Sequence, residues 1–98
     1  MTTKIPTPTI SEILKEEFMR PLDISTYALA KNIGVATSRI QDILHGRRRI
    51  TIDTSIRLGR FFGVSDKYFF NLQNEIDFRN EKSAHASSYI KIKPYQYA

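Results

Sequence analysis

The 98-residue chain has no cysteine and no tryptophan. The lack of cysteine excludes a disulfide scaffold, a thiolate zinc site and a thiol nucleophile. Its two histidines, His45 and His85, are forty residues apart, too few for a catalytic metal site without carboxylate help. No metal site and no cofactor is expected. Glycine is scarce, and the four present read as helix stops or helix-interior positions, so no glycine-rich phosphate loop exists. No apolar run is long enough to span a bilayer, and the first eight residues lack the apolar core of a signal peptide. A cytoplasmic protein with no membrane partner is the default expectation. The length leaves room for a core of about five helices but little for an enclosed substrate pocket. Ser11, Ser25 and Ser38 have no histidine and acid at useful offsets, and Glu16-Glu17 reads as a solvated helix face. An enzyme is therefore not expected.

Acidic residues are the minority, 10 against 15 Lys+Arg, for a net charge of +5. Four of those five net units fall within residues 39–60, where every cation is an arginine: Arg39, Arg47, Arg48, Arg49, Arg57 and Arg60. Arginine presents a planar fork of donors that matches phosphate and the guanine edge. A localised arginine excess points to an acidic partner more sharply than the overall charge does.

Helix signals follow one another closely. Thr9 through Glu12 forms a capping box, and Ile10, Ile13, Leu14 and Phe18 then make one apolar face. Pro21 is expected to end this helix. A second helix starts at Ser25 and runs to Gly34, a left-handed stop. A third opens at Ala36 or Thr37, carries Ile40, Ile43 and Leu44 inward, and closes at Gly46. Thr51 caps a fourth bearing Ile52, Ile56, Leu58 in part, Phe61 and Phe62, stopped by Gly63. A fifth starts at Ser65-Asp66, carries Tyr68, Phe69, Leu72 and Ile76, and fades after Arg79. From Ser83 the chain is small and polar, then alternates from Tyr89 to Pro94 as a strand does, with a proline that confines it to an edge or an extended tail. The expected organisation is all-α: an N-terminal extension (1–8), a helical domain (9–82) and a C-terminal tail (83–98).

Residues 25–46 carry the functional signal. They read as helix, tight turn at Gly34-Val35, helix, with small Ala30 where two helices cross and Val35 and Ile40 filling the space between them. This is the spacing of a helix-turn-helix unit. Stepping 100° per residue puts Ala36, Ile40, Ile43 and Leu44 on one side of the third helix and Ser38, Asp42 and His45 opposite, with Gln41 and Arg39 on the flanks. Thr37, Ser38, Arg39, Gln41 and Asp42 are thus the candidate base readers. Gln41 suits adenine, Arg39 guanine and Asp42 the cytosine amino group, and Asp42 has a second use in a local pair with Arg39. Ser25 and Thr26 start the second helix with amides open to a phosphate, and Arg47, Arg48 and Arg49 would hold the backbone. Each feature alone has a plainer reading: a solvated face, a solvated loop, a helix cap, and at His45 a complement to the helix dipole. Their coincidence within about twenty-five residues favours nucleic-acid binding.

The stretches Glu12–Phe18, Leu29–Val35, Ser38–Ile43, Gly46–Thr51, Asp53-Thr54, Arg57-Leu58, Arg60–Gly63 and Phe70–Gln73 together resemble the HigA-type (VapI-type) antitoxins, within the Cro/CI-like (XRE) helix-turn-helix repressors. The resemblance covers about residues 10–80 in order. It implies a five-helix, lambda-repressor-like domain that dimerises and binds a palindromic operator as an autorepressor, with a HigB-type RNA-cleaving toxin as partner. It also puts the reading helix on Thr37 to Leu44. Many relatives carry proline where this chain has Ala36 or Thr37. The aromatic residues Tyr68, Phe69, Phe70 and Phe78 are the candidate dimer interface, although Phe69 and Leu72 also read as core. Two alternatives stand beside this one. One is a solitary regulator of the same family. The other is a protein-interaction module that neutralises its partner, with the Tyr89–Pro94 tail adding a strand to the partner's sheet.

Overall fold

Thr9 opens the first helix as its side chain predicts, with Oγ1 accepting from the Glu12 amide at 3.1 Å. In the computed structural model, which describes residues 7–96, six α-helices follow in order. They are α1 (Ile10–Ile13), α2 (Thr26–Ile33), α3 (Thr37–Leu44), α4 (Ile52–Phe62), α5 (Tyr68–Ala84) and α6 (Ala86–Ile90). No strand occurs among the described residues. The N-terminal extension expected over 1–8 lies outside the described residues except for Thr7 and Pro8.

Pro21 does not end the first helical segment. α1 passes straight into a π-helical stretch (Leu14–Met19) and then a 3-10 turn (Arg20–Leu22) that contains the proline. Proline has no N–H, and its ring crowds the carbonyl four residues back. Widening the preceding turn relieves that crowding, and the Arg20 amide donates to the Lys15 carbonyl, five residues back. The stop comes at Asp23, a non-glycine residue in the left-handed region (φ 50°).

The core draws on every turn of this bundle: Leu14, Met19, Leu29, Ala30, Ile33, Ile40, Ile43, Ile50, Leu58 and Phe69. Leu58, expected to be partly inward, is fully buried, whereas Ile52, expected inward, is 64% exposed. The inner face of α4 is set by Thr54, Ser55, Leu58 and Gly59, one step around the helix from the apolar stripe. Gly59 explains the rotation. A Cβ there would stand 2.5 Å from the Ser65 carbonyl oxygen, so only glycine lets α4 lie against the turn into α5. Ser55 fastens the same junction, donating to the Asp66 carbonyl (2.7 Å) and accepting from the Phe70 amide (3.0 Å). Phe18 sits among Phe62, Phe69 and Tyr68 with edge-to-face contacts at 4.8–5.8 Å between ring centres.

α5 does not fade after Arg79 but continues to Ala84, and the alternating segment from Tyr89 forms no strand. Residues 86–90 are helical, and Tyr89 donates through its hydroxyl to Glu81 at 2.8 Å. Beyond Ile76 every described side chain is exposed. The radius of gyration, 17.1 Å, exceeds the about 13 Å of a compact chain this long. The end of α5, α6 and the residues after it form an arm that projects from the core.

Candidate nucleic-acid interface

α2 and α3 cross at the turn that the sequence places at Gly34. Ser25 caps α2, accepting from the Ala28 amide at 3.0 Å. Gly34 adopts φ 74°, and the amides of Gly34 and Val35 return to the carbonyls of Lys31 (3.3 Å) and Ala30 (3.0 Å). This backbone closure needs the left-handed region, which glycine enters without steric cost. The start of α3 is settled at Thr37, with Ala36 as an N-cap that offers no side-chain acceptor.

Packing of Ala30, Ile33, Ile40 and Ile43 fixes which face of α3 turns outward. Ser38 and Gln41 are exposed; Thr37, Arg39 and Asp42 are half-buried; Thr26 is half-buried at the start of α2 and Ser25 beside it is exposed. Ser38, Gln41 and His45 thus stand on the side away from the core, as the helical projection places them. The far end of α3 is tied down twice. His45 donates through Nδ1–H to the Gln41 carbonyl (2.7 Å), and Ser11 of α1 donates to the Ile43 carbonyl (2.5 Å).

The charged groups are paired differently from the sequence reading. Asp42 does not pair with Arg39. It accepts from Arg47 Nε at 3.3 Å, while its own carbonyl accepts the Arg47 (2.8 Å) and Arg48 (3.2 Å) amides. Arg39 reaches instead to Asp53 of α4, Nη1 to Oδ2 at 3.0 Å. Asp53 also accepts from Arg57 Nε on both oxygens (3.0 and 3.1 Å), and Arg57 Nη1 donates to the Ile33 carbonyl at the end of α2 (2.9 Å). The Arg57 hydrogen bonds, with those of Arg39 and against some desolvation, hold the Asp53 carboxyl below its ordinary range. The α3–α4 loop is anchored in the same manner. Arg49 bonds Asp77 and, at 3.0 Å, Asn74 of α5. Next to it the buried Gln73 amide clamps Ile50, accepting its N–H at 2.6 Å and donating to its carbonyl at 2.8 Å. Of the three consecutive arginines, Arg48 alone has no ion pair among the described residues.

Asp53, Arg57, Ser11 and Gln73 were not singled out as site residues from the sequence. Their partners lie on other helices, and nothing in the local pattern points across that distance. The dimer-interface expectation needs one correction: Phe69 is fully buried in the aromatic cluster and cannot touch a second chain. Tyr68 is 38% and Phe78 69% exposed, and Phe70 is half-buried against Ser55. Among the described residues no cluster of His, Asp and Glu is placed to hold a metal ion, and no helix is long and apolar enough to cross a membrane.

Two helices crossing at a left-handed glycine, the second with a polar outward face and an arginine loop behind it, define a helix-turn-helix domain. The helix-turn-helix family model matches residues 14–69. Virulence-associated protein I of Dichelobacter nodosus is 43% identical over 68 residues, 69% of this chain and 63% of its own length. This chain thus spans less than two thirds of that relative. Among solved structures, Pseudomonas aeruginosa antitoxin HigA with the higBA promoter is 34% identical with a TM-score of 0.81, covering 94% of this chain and all of that one. Antitoxin GraA in complex with its operator is 28% identical with a TM-score of 0.81, covering 100% of this chain and 99% of that one. The chain belongs to the helix-turn-helix family, in the branch of the HigA-type (VapI-type) antitoxins. None of the three relatives is named as an enzyme, and this chain is not one.

Proposed function

We propose that this protein is a sequence-specific DNA-binding autorepressor and the antitoxin of a HigB-type toxin, acting in the cytoplasm as a homodimer on a palindromic operator. The observation that carries the reading is the single surface on which exposed Ser38 and Gln41 of α3 lie near the capped start of α2 and the unpaired Arg48. Two solved relatives of the same fold are described with a promoter and with an operator, which supports it. α3 enters the major groove with Thr37, Ser38, Arg39 and Gln41 toward base edges, and Asp42 orients Arg47. Arg48, with Arg47 and Arg49 behind it, meets the phosphates, and the amides at Ser25 and Thr26 meet another. Residues 9–82 form the DNA-binding unit, and 83–98 form a separable tail. Exposed Tyr68 and Phe78, with Phe70 at the edge, are the apolar groups available for pairing with a second copy.

The test is affinity against salt. Arg48→Ala flattens the slope of log K against log salt by about one per protomer, because one phosphate contact and its counterion release are lost. Ser38→Ala combined with Gln41→Ala instead lowers the ratio of operator to scrambled-sequence affinity. An unchanged ratio in that double variant removes α3 as the reading helix.

A further inference from the structure

Asp53 does more than complement a helix start. It occupies the second position of α4, where a carboxylate is favoured by the helix dipole, and from there it holds two guanidinium groups on two different elements. Arg57 grips it from one side through both oxygens and is itself fixed by the Ile33 carbonyl. The carboxylate therefore cannot swing freely. A Cβ on Gly34 would come within 3.2 Å of Arg57 Nη1, so the turn glycine keeps that position open. On the other side Asp53 Oδ2 takes one hydrogen from Arg39 Nη1. Arg39 lies in the first turn of α3, half-buried, and its remaining N–H groups are uncommitted in the contacts described. One carboxylate between two guanidinium groups leaves a net positive charge, so the unit still attracts the acceptors of a DNA groove.

We propose that Asp53 is a positioning residue for base reading: its carboxylate, locked by Arg57 and the end of α2, presents Arg39 to a guanine edge as a pre-set fork rather than as a mobile cation. This rests on the DNA-reading function proposed above. The physical reason is preorganisation. An arginine carries rotamer freedom that must be lost on pairing with a base, and a side chain already fixed loses less of it in the complex. The pairing also ties the reader to the turn between α2 and α3, so Arg39 and the helix that carries it move as one body.

The experiment uses the full chain and a duplex selected by the wild-type protein from a random-sequence pool, with a scrambled duplex of the same composition for comparison. Asp53→Asn is expected to lower the selected-to-scrambled affinity ratio about tenfold, the size of one lost bidentate arginine–guanine pair. Affinity for the scrambled duplex holds or rises, since a negative charge has been removed, and its salt slope steepens by about one per protomer. Reselection with the variant loses a G·C position in each half-site. Asp53→Glu, which keeps the charge, recovers part of the ratio. In an Arg39→Ala background Asp53→Asn leaves the ratio unchanged within about twofold. A proportional loss on both duplexes, or the same fall in selectivity with and without Arg39, overturns the inference and reduces Asp53 to a brace between helices. Should Asp53→Asn fail to fold, Asp53→Glu alone carries the cycle with Arg39→Ala, and full additivity overturns the inference in that form. If the wild-type selection yields no consensus, the DNA-reading function falls and this inference falls with it. If a consensus emerges but the cycle is additive, only the role of Asp53 falls.

Discussion

Replacing Gln73 with leucine should destabilise the domain heavily although the volume of the side chain is nearly kept. Gln73 is 2% exposed, and its amide satisfies both backbone groups of Ile50. Ile50 is itself buried, directly after the three arginines and one residue before the cap of α4. Leucine leaves an N–H and a C=O without partners in an apolar setting, at about 1–3 kcal/mol each. The amide's own desolvation is no longer incurred, so the net loss is about 3 kcal/mol. For a domain of this size that lowers the melting temperature by about 12–24 °C, a large share of the about 5–15 kcal/mol that such domains have in total. Gln73→Glu supplies a second arm. A carboxylate still accepts from the Ile50 amide but sets a lone pair against the Ile50 carbonyl, whereas the protonated acid restores the donor. Its folded pKa must therefore lie above the unfolded value of about 4.3. A raised folded pKa means stability fully present below the unfolded pKa and lost as pH rises through the folded one. Thermal melts of the glutamate variant should approach wild type near pH 4 and fall away toward pH 7, while the leucine deficit stays constant relative to wild type. A leucine variant melting within about 3 °C of wild type, or a glutamate deficit independent of pH, refutes the clamp.

Three further outcomes follow from the packing and the charges. Gly59→Ala puts a methyl 2.5 Å from the Ser65 carbonyl oxygen and should cost about 1–3 kcal/mol as α4 is forced off the α4–α5 turn; equal denaturation midpoints for variant and wild type would contradict that approach. The Asp53 carboxyl, held low mainly by Arg57, contributes stability that is present above its unfolded pKa and lost as pH falls through the lower folded value. Acid titration of stability should accordingly be shallower below about pH 4 in Asp53→Asn than in wild type, and superimposable acid limbs would contradict it. Ending the chain after Lys82 removes only exposed side chains and should change stability by no more than about 0.5 kcal/mol, measured by urea melts; a larger loss would show that the arm packs on the core.

The helix-turn-helix was legible because its signals are local. Ser25 and Thr51 cap as their side chains demand, Gly34, Gly46 and Gly63 take the left-handed conformation, and the stripe of Ile40 and Ile43 faces inward. Periodicity failed where a contact, not a pattern, decides. Ile52 belongs to an apolar stripe, yet α4 is turned by the close approach that Gly59 permits, and Thr54 and Ser55 go inside. Pro21 reads as a terminator, but a widened turn absorbs it. The alternation from Tyr89 to Ile92 has the period of a strand but no neighbouring strand among the described residues, and it begins inside a helix anchored by Tyr89 on Glu81.

The arginine excess shows the same division at the level of charge. Six arginines between residues 39 and 60 look from the sequence like one cationic surface. Folded, Arg39 and Arg57 share Asp53, Arg47 meets Asp42, Arg49 meets Asp77 and Arg60 meets Asp66. Two of those four aspartates, Asp66 and Asp77, lie outside the stretch, so its charge counted alone overstates what remains uncompensated. Exposed ion pairs contribute little to stability, so their consequence here is geometric. Each one orients a guanidinium or a loop relative to α3, and a fixed array suits discrimination among sequences better than a loose cationic patch, which would bind any duplex. Arg48 is the exception, with no aspartate to answer it, and for that reason it is the cation best placed to meet a phosphate without first giving up a partner.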